Sequence, residues 1–289
     1  MKRTIEKIYK RPAQAGMVGD GFKVYNYFPG GGISQQRVSP FLMMDFAAEH
    51  NFTPTNKARG VDVHPHKGFE TVTIAYKGSV AHHDSSGNSG IIDPGDVQWM
   101  TAGAGVLHKE YHEEEYSKRG GPFEMVQLWV NLPAKDKLTK PGYQGITADQ
   151  MGKAILPDNG GLVNVIAGNF NGTKGPASTF TEVNAFDIKL NEGGNLQTNI
   201  PASHNAVLLV VEGDVEVNGE HADLHSFILF KNDGQEVDIK ANEKSVLLLL
   251  SGEPIHEPIA QYGPFVMNTN RELQEAFEEF QAGKFGTLE

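Results

Sequence analysis

The chain has 289 residues, no cysteine and a formal net charge of -11, which excludes disulfides, thiolate catalysis and cysteine-based zinc fingers and leaves histidine and carboxylate as its metal-binding side chains. Its length supports one large domain or two smaller cores. Residues 1–11 carry five Lys or Arg against one Glu, so the remaining 278 hold -15; most of the surface repels a phosphate backbone, and no direct nucleic-acid binding is expected.

In chain order, the leader MKRTIEKIYKRP is basic but has no apolar stretch behind it, so it does not read as a secretory signal. It reads instead as a solvated terminal strand. No later segment is long and apolar enough to span a bilayer, and a cytoplasmic protein without membrane contact is expected. Short β-like runs then recur at 70–76, 79–84, 97–101, 106–112 and 123–131, with turn signals KG, SSGNSG, DPGD and AGAG between them. Residues 133–162 are polar and rich in Pro, Gly and Lys, which predicts a linker. The strand pattern resumes at 163–167, 184–190, 206–217, 224–230 and 236–250, and so many short strands indicate a sandwich or barrel.

The two halves read as copies of one unit. TIAYKGSVAHH in the first and LLVVEGDVEVN in the second each place a strand on either side of a glycine, Gly78 and Gly213. At the tail, Leu273, Ala276, Phe277 and Phe280 fall at helical spacing, and Thr269 with Glu272 reads as a capping box. A helix over 270–282, closed by Gly283, is expected to pack its apolar stripe on the barrels.

Chemistry concentrates in two motifs, His64-Pro65-His66 and His108-Lys109-Glu110. Side chains two apart on a strand share a face, so His64 can converge with His66, and His108 with Glu110, on one divalent metal inside a β-barrel. Three imidazoles and a carboxylate suit Fe, Mn, Ni, Cu or Zn and are a poor set for Ca or Mg. The second half has His204, His221 and His225 but neither motif, so its copy is expected to bind no metal. His112 continues the face of His108 and Glu110 and is placed at the mouth. His82 and His83 fall in a hairpin and read as solvent-exposed non-ligands. Phe69, Trp99, Trp129 and Met125 are candidates to wall an aromatic pocket, with core packing as the competing role.

GVDVHPHKGFETVTIAYKG is similar to the first cupin motif, and PGDVQWMTAGAGVLHKE to the second. Together with PFLMMDF at 40–46, DSSGNSG and the tail GPFVMNTNRELQEAFEEFQAGKFG, they resemble the pirin family over most of the chain. The resemblance implies an all-β bicupin: two tandem jelly-roll-type cupin barrels packed together with a short C-terminal helix. The boundary drawn from it puts a metal-binding domain at 1–145 and a metal-free domain plus helix at 146–289.

It also implies Fe(II) as cofactor, held by His64, His66, His108 and Glu110. Glu70 sits where many cupins place a ligand, but pirin-type sites use the later glutamate, which leaves Glu70 to orient a ligand or act on substrate. Ala104 and Lys109 depart from the family, where arginine and serine are common. Some bacterial pirins are associated with quercetin 2,3-dioxygenase activity. That would make a flavonol-like molecule the substrate and Glu110 the candidate base for its 3-hydroxyl. Animal pirins imply the alternative, an iron-binding, redox-sensitive regulator whose partners are proteins such as transcription factors.

Overall fold

Short runs of β-branched and aromatic residues form antiparallel sheets throughout the computed structural model, which describes residues 1–289. The chain divides into two units: residues 14–32, 41–147 and 255–289 form the first, and residues 1–13, 33–40 and 148–254 the second. Neither is a continuous stretch, so a single cut at 145/146 does not describe them. The C-terminal helix, expected to go with the second half of the chain, belongs to the first unit.

In the first unit a seven-stranded sheet runs in the order Gly142–Ile146, Val97–Thr101, Phe69–Lys77, Gly121–Asn131, Phe41–Phe52, Phe22–Phe28, Gly16–Val18. Facing it is a four-stranded sheet, Gly60–His66, Val106–His112, Val80–Asp84, Ser89–Ile92. The second unit repeats this plan. Its larger sheet runs Ile5–Tyr9, Phe227–Phe230, Asn205–Glu212, Ser245–Gly252, Val183–Leu190, Gly161–Ala167, Gly152–Leu156, and its smaller one Asn195–Asn199, Glu236–Ala241, Val215–Val217, Glu220–Ala222. Seven strands and four, in matching order, make the two barrels copies of one design. Gly78 and Gly213 occupy corresponding turns with φ of 74° and 88°, a conformation that favours glycine.

Two predicted features differ from this structure. The expected linker at 133–162 contributes strands Gly142–Ile146 and Gly152–Leu156, one to each unit, because edge strands tolerate the Gly and polar residues that made the segment look loop-like. The basic leader is a terminal strand with Lys2, Glu6, Lys7 and Lys10 exposed, as expected, but it is also part of the sheet: Ile5–Tyr9 pairs with Phe227–Phe230. Arg3 is 1% exposed, donating to the carbonyls of Pro201 and His204. No helix is long and apolar enough to cross a membrane.

The helix Asn270–Gln281 forms as its capping box predicts: the Thr269 hydroxyl accepts from the Glu272 N–H, and the Glu272 carboxylate accepts from that of Thr269 at 2.7 Å. Leu273 and Ala276 are buried with Phe265, Met267 and Phe285. Phe285 lies against Gly105, where a Cβ would come within 2.3 Å of its ring. Lys67, also buried, pairs with Glu279, and the Lys137 ammonium donates to the carbonyls of Gly68 (2.8 Å) and Val266 (3.0 Å). The last residues of the chain thus secure the loops after His66 and before His108. Phe285→Ala should lower the stability of this unit by about 3 kcal/mol, read from urea unfolding, with the second unit's transition unchanged.

Candidate metal centre

Strand register assembles the site. In the smaller sheet of the first barrel, His108 lies opposite His64 on one side and Asp84 on the other, and Glu110 lies opposite His82. The ring centroids of His64 and His66 are 4.9 Å apart, and those rings lie 4.2 and 4.7 Å from His108. A nitrogen from each of the three falls within 4.8 Å of the other two. His108 and His66 are 0% and 4% exposed, whereas His64 is half-buried and marks the open side.

Each imidazole is tethered through one nitrogen only. His64 Nδ1 is 2.7 Å from the Asp62 carbonyl oxygen, His66 donates to the Pro264 carbonyl, and His108 Nδ1 lies 3.5 Å from His82 Nδ1. That leaves His66 Nδ1 and His108 Nε2 buried without a hydrogen-bond partner. Burial, then the neighbouring imidazoles, hold the pKa of His66 and of His108 well below the ordinary histidine value, so both are neutral. Neutral imidazoles clustered this closely, two of them with an unshared nitrogen, are a donor set that fits a divalent metal.

Glu110, 4% exposed, lies two residues beyond His108 on the same face. Its Oε1 accepts from Thr73 Oγ1 (3.1 Å) and Gln98 Nε2 (2.9 Å), and its Oε2 accepts from Gln127 Nε2 (2.9 Å). A carboxylate oxygen also falls within 4.8 Å of ring nitrogens of both His82 and His108, a second triad that shares His108 with the first.

Those donors reveal which sheet faces look inward, and two expected site residues lie on the wrong one. Thr73 and Gln98 reach Glu110, so Glu70, three residues from Thr73, and Trp99, next to Gln98, face the other way. Glu70 instead accepts from Thr101 Oγ1 at 2.8 Å. Burial pushes its carboxyl up to about 7, against the opposing pull of Thr101 and Trp99.

His112 and Met125 point into the barrel, but deep rather than at its mouth. His112 Nε2 meets the Gly21 carbonyl oxygen at 2.8 Å, and its ring stacks on Phe123 at 4.8 Å. Met125 packs with Phe22, Phe123 and Tyr116. Phe69 and Trp129 do stand at the site, their centroids 5.0 and 5.2 Å from that of His66. Lys109 alternates outward between His108 and Glu110, opposite His83.

His82, expected to be exposed, is 0% exposed, because its parity turns it inward beside His108, while His83 turns out to stack on Tyr111. Thr73, Gln98 and Gln127 carried no recognisable signal, since each is an ordinary polar strand residue until register brings it to Glu110. The alternation His82-x-Asp84 was the one local clue to an inward polar pair.

Comparison with known proteins agrees with this architecture. Residues 21–130 match the Pirin family and residues 185–286 the Pirin C-terminal cupin domain. A Pseudomonas aeruginosa protein provisionally named quercetin 2,3-dioxygenase is 45% identical over 93% of both chains. Human pirin is 36% identical over 87% of this chain and 84% of its own. A crystal structure titled quercetin 2,3-dioxygenase from Acinetobacter baumannii superposes with a TM-score of 0.94 at 46% identity, covering 100% of each chain.

The depressed histidines set a pH dependence. Both bind protons more weakly folded than unfolded, so their contribution to stability is complete above the unfolded value of about 6.5 and is lost as pH falls below it. Against the opposite contribution of Glu70, whose raised carboxyl favours the folded state as pH falls, these two histidines should cost the metal-free protein stability between pH 7 and pH 5, and a His66→Gln, His108→Gln double variant should show a shallower loss than the wild type in urea melts across that range.

Proposed function

Because this chain belongs to the pirin family, we propose that it holds one divalent metal, Fe(II) by preference, through His64, His66, His108 and Glu110, and acts as an oxygenase on a flavonol-like small molecule. The observation that carries this reading is the convergence of three imidazoles, two with buried unpartnered nitrogens, beside one buried carboxylate. The relatives named for quercetin 2,3-dioxygenase support the substrate class. When bound, a redox-active ion supplies Lewis acidity and electron exchange with a chelating substrate and dioxygen.

The remaining steps belong to the protein's own side chains. His64, the half-buried member, lies on the side from which a ligand enters. Phe69 and Trp129 offer apolar ring surface beside His66, suited to a planar aromatic substrate. Glu110 is the only anionic group in the proposed ligand set and the candidate to take the proton of a substrate hydroxyl. Oε1 already accepts two hydrogen bonds and Oε2 only one, from Gln127, so the remaining lone pair on Oε2 is the one free to ligate or to accept that proton. Thr73 and Gln98 then keep Oε1 in place.

The test is anaerobic loading with Fe(II), followed by oxygen uptake and loss of the flavonol absorbance band with quercetin. Turnover should require metal, fall at least 100-fold in Glu110→Gln by the usual scale for loss of a proton-transfer group, and fall together with metal binding in His108→Ala. Tight metal binding without turnover would sink the oxygenase reading and favour a protein-binding regulator, whereas no metal binding would remove both. Gln127→Ala should weaken turnover less than Glu110→Gln, because it loosens the carboxylate without deleting it.

A further inference from the structure

His82 and Asp84 lie outside the proposed ligand set, yet they are 0% and 4% exposed and stand directly behind His108. A line of polar contacts runs outward from the centre. His108 Nδ1 is 3.5 Å from His82 Nδ1, and His82 Nε2 is 3.2 Å from Asp84 Oδ2. The line ends in a heavily anchored carboxylate. Asp84 Oδ1 accepts from the Ser86 N–H (2.8 Å) and the Asn88 N–H (3.1 Å), and the Asn88 amide reaches Oδ2 at 3.0 Å. Burial would raise the Asp84 pKa, but hydrogen bonds from His82 and Asn88 outweigh it and hold the carboxyl below its usual range.

An anion at one end gives the line a direction. Ionised Asp84 can only accept, so in a neutral His82 the proton sits on Nε2 and Nδ1 holds a lone pair. That lone pair can be satisfied only by a proton on His108 Nδ1, which leaves His108 Nε2 bare. His108 Nε2 is the buried atom without a partner. The His82 ring is held in turn by Tyr143, stacked at 5.0 Å with 25° between planes. Tyr143 fits there because residue 90 is glycine, where a Cβ would come within 2.1 Å of its hydroxyl.

We propose that Asp84, acting through His82, locks His108 in the Nδ1–H tautomer, making both of them positioning residues that set how strongly His108 binds metal. The effect on affinity rests on the proposed role of His108 as a ligand; the tautomer itself does not.

Two readouts separate these parts. Ring nitrogen shifts of 15N-histidine in the metal-free full chain should report Nδ1–H for His108 in the wild type. His82→Gln should keep that state, because its amide can accept from His108 and donate to Asp84. In Asp84→Asn and in His82→Phe the population should move toward Nε2–H. Co(II) affinity, measured by chelator competition, should fall about 10–100-fold in Asp84→Asn and His82→Phe, with an altered Co(II) absorption spectrum, and stay close to wild type in His82→Gln.

An Nε2–H His108 in the wild type would overturn the proposal, as would unchanged Co(II) affinity and spectrum in Asp84→Asn. Asp84→Asn serves where His82→Phe fails to fold, because asparagine retains an oxygen for the turn. Nδ1–H in the wild type without Co(II) binding would sink the metal reading while leaving the relay standing.

Discussion

The interior of a closed β-barrel gives buried polar groups no water, so each must find a partner within the protein or carry an energetic penalty. The first barrel meets that constraint nearly everywhere around its centre. Both oxygens of Glu110 are occupied, and each of the three clustered imidazoles has one nitrogen spoken for by a carbonyl or by His82. Buried atoms without a partner remain on Gln98 and Trp129 as well as on His66 and His108, and the two imidazole nitrogens are the ones suited to a transition-metal cation. Burial and mutual proximity keep those rings neutral, so the same constraint that makes their unpartnered nitrogens costly also keeps them able to bind a cation.

The second barrel shows what the backbone does without these groups. By ladder position, Val237 corresponds to His108, Ile239 to Glu110, Val217 to His82 and Thr198 to His64. The apolar members of that set join Leu196, Leu208, Val210, Ile228 and Leu247 in a continuous aliphatic core. Strand order and glycine turns are shared, so the barrel does not depend on the polar centre. Four or five side chains on one sheet separate a chemical site from a packed interior, and fold alone does not assign an activity.

Residues distant in sequence secure the centre. Segment 255–289 belongs with the first barrel, where the Pro264 carbonyl accepts a hydrogen bond from His66 and that of Val266 accepts one from Lys137. The tail also reaches the relay hairpin: the Ser85 hydroxyl donates to the Phe285 carbonyl at 2.5 Å and accepts from the Leu107 N–H at 3.0 Å. The loops flanking His66, Asp84 and His108 are thus bound to one another through the end of the chain. This restrains the imidazoles more tightly than the two motif strands could alone.

Spacing by two along a strand is a local property, and the sequence by itself determined what depends on it. It placed His108 with Glu110 on one face, the Gly78 and Gly213 turns in corresponding places, and the capped helix after Thr269. Whether a face looks inward, and how deep along the barrel a residue lies, depends on which strands pair and in what register. Tertiary structure therefore decided that Glu70 and Trp99 turn away, that His112 sinks into an aromatic core, and that His82 with Asp84 backs His108. It also decided that the first strand completes the second barrel and the last helix the first, because pairings across more than 200 residues leave no local trace in the chain.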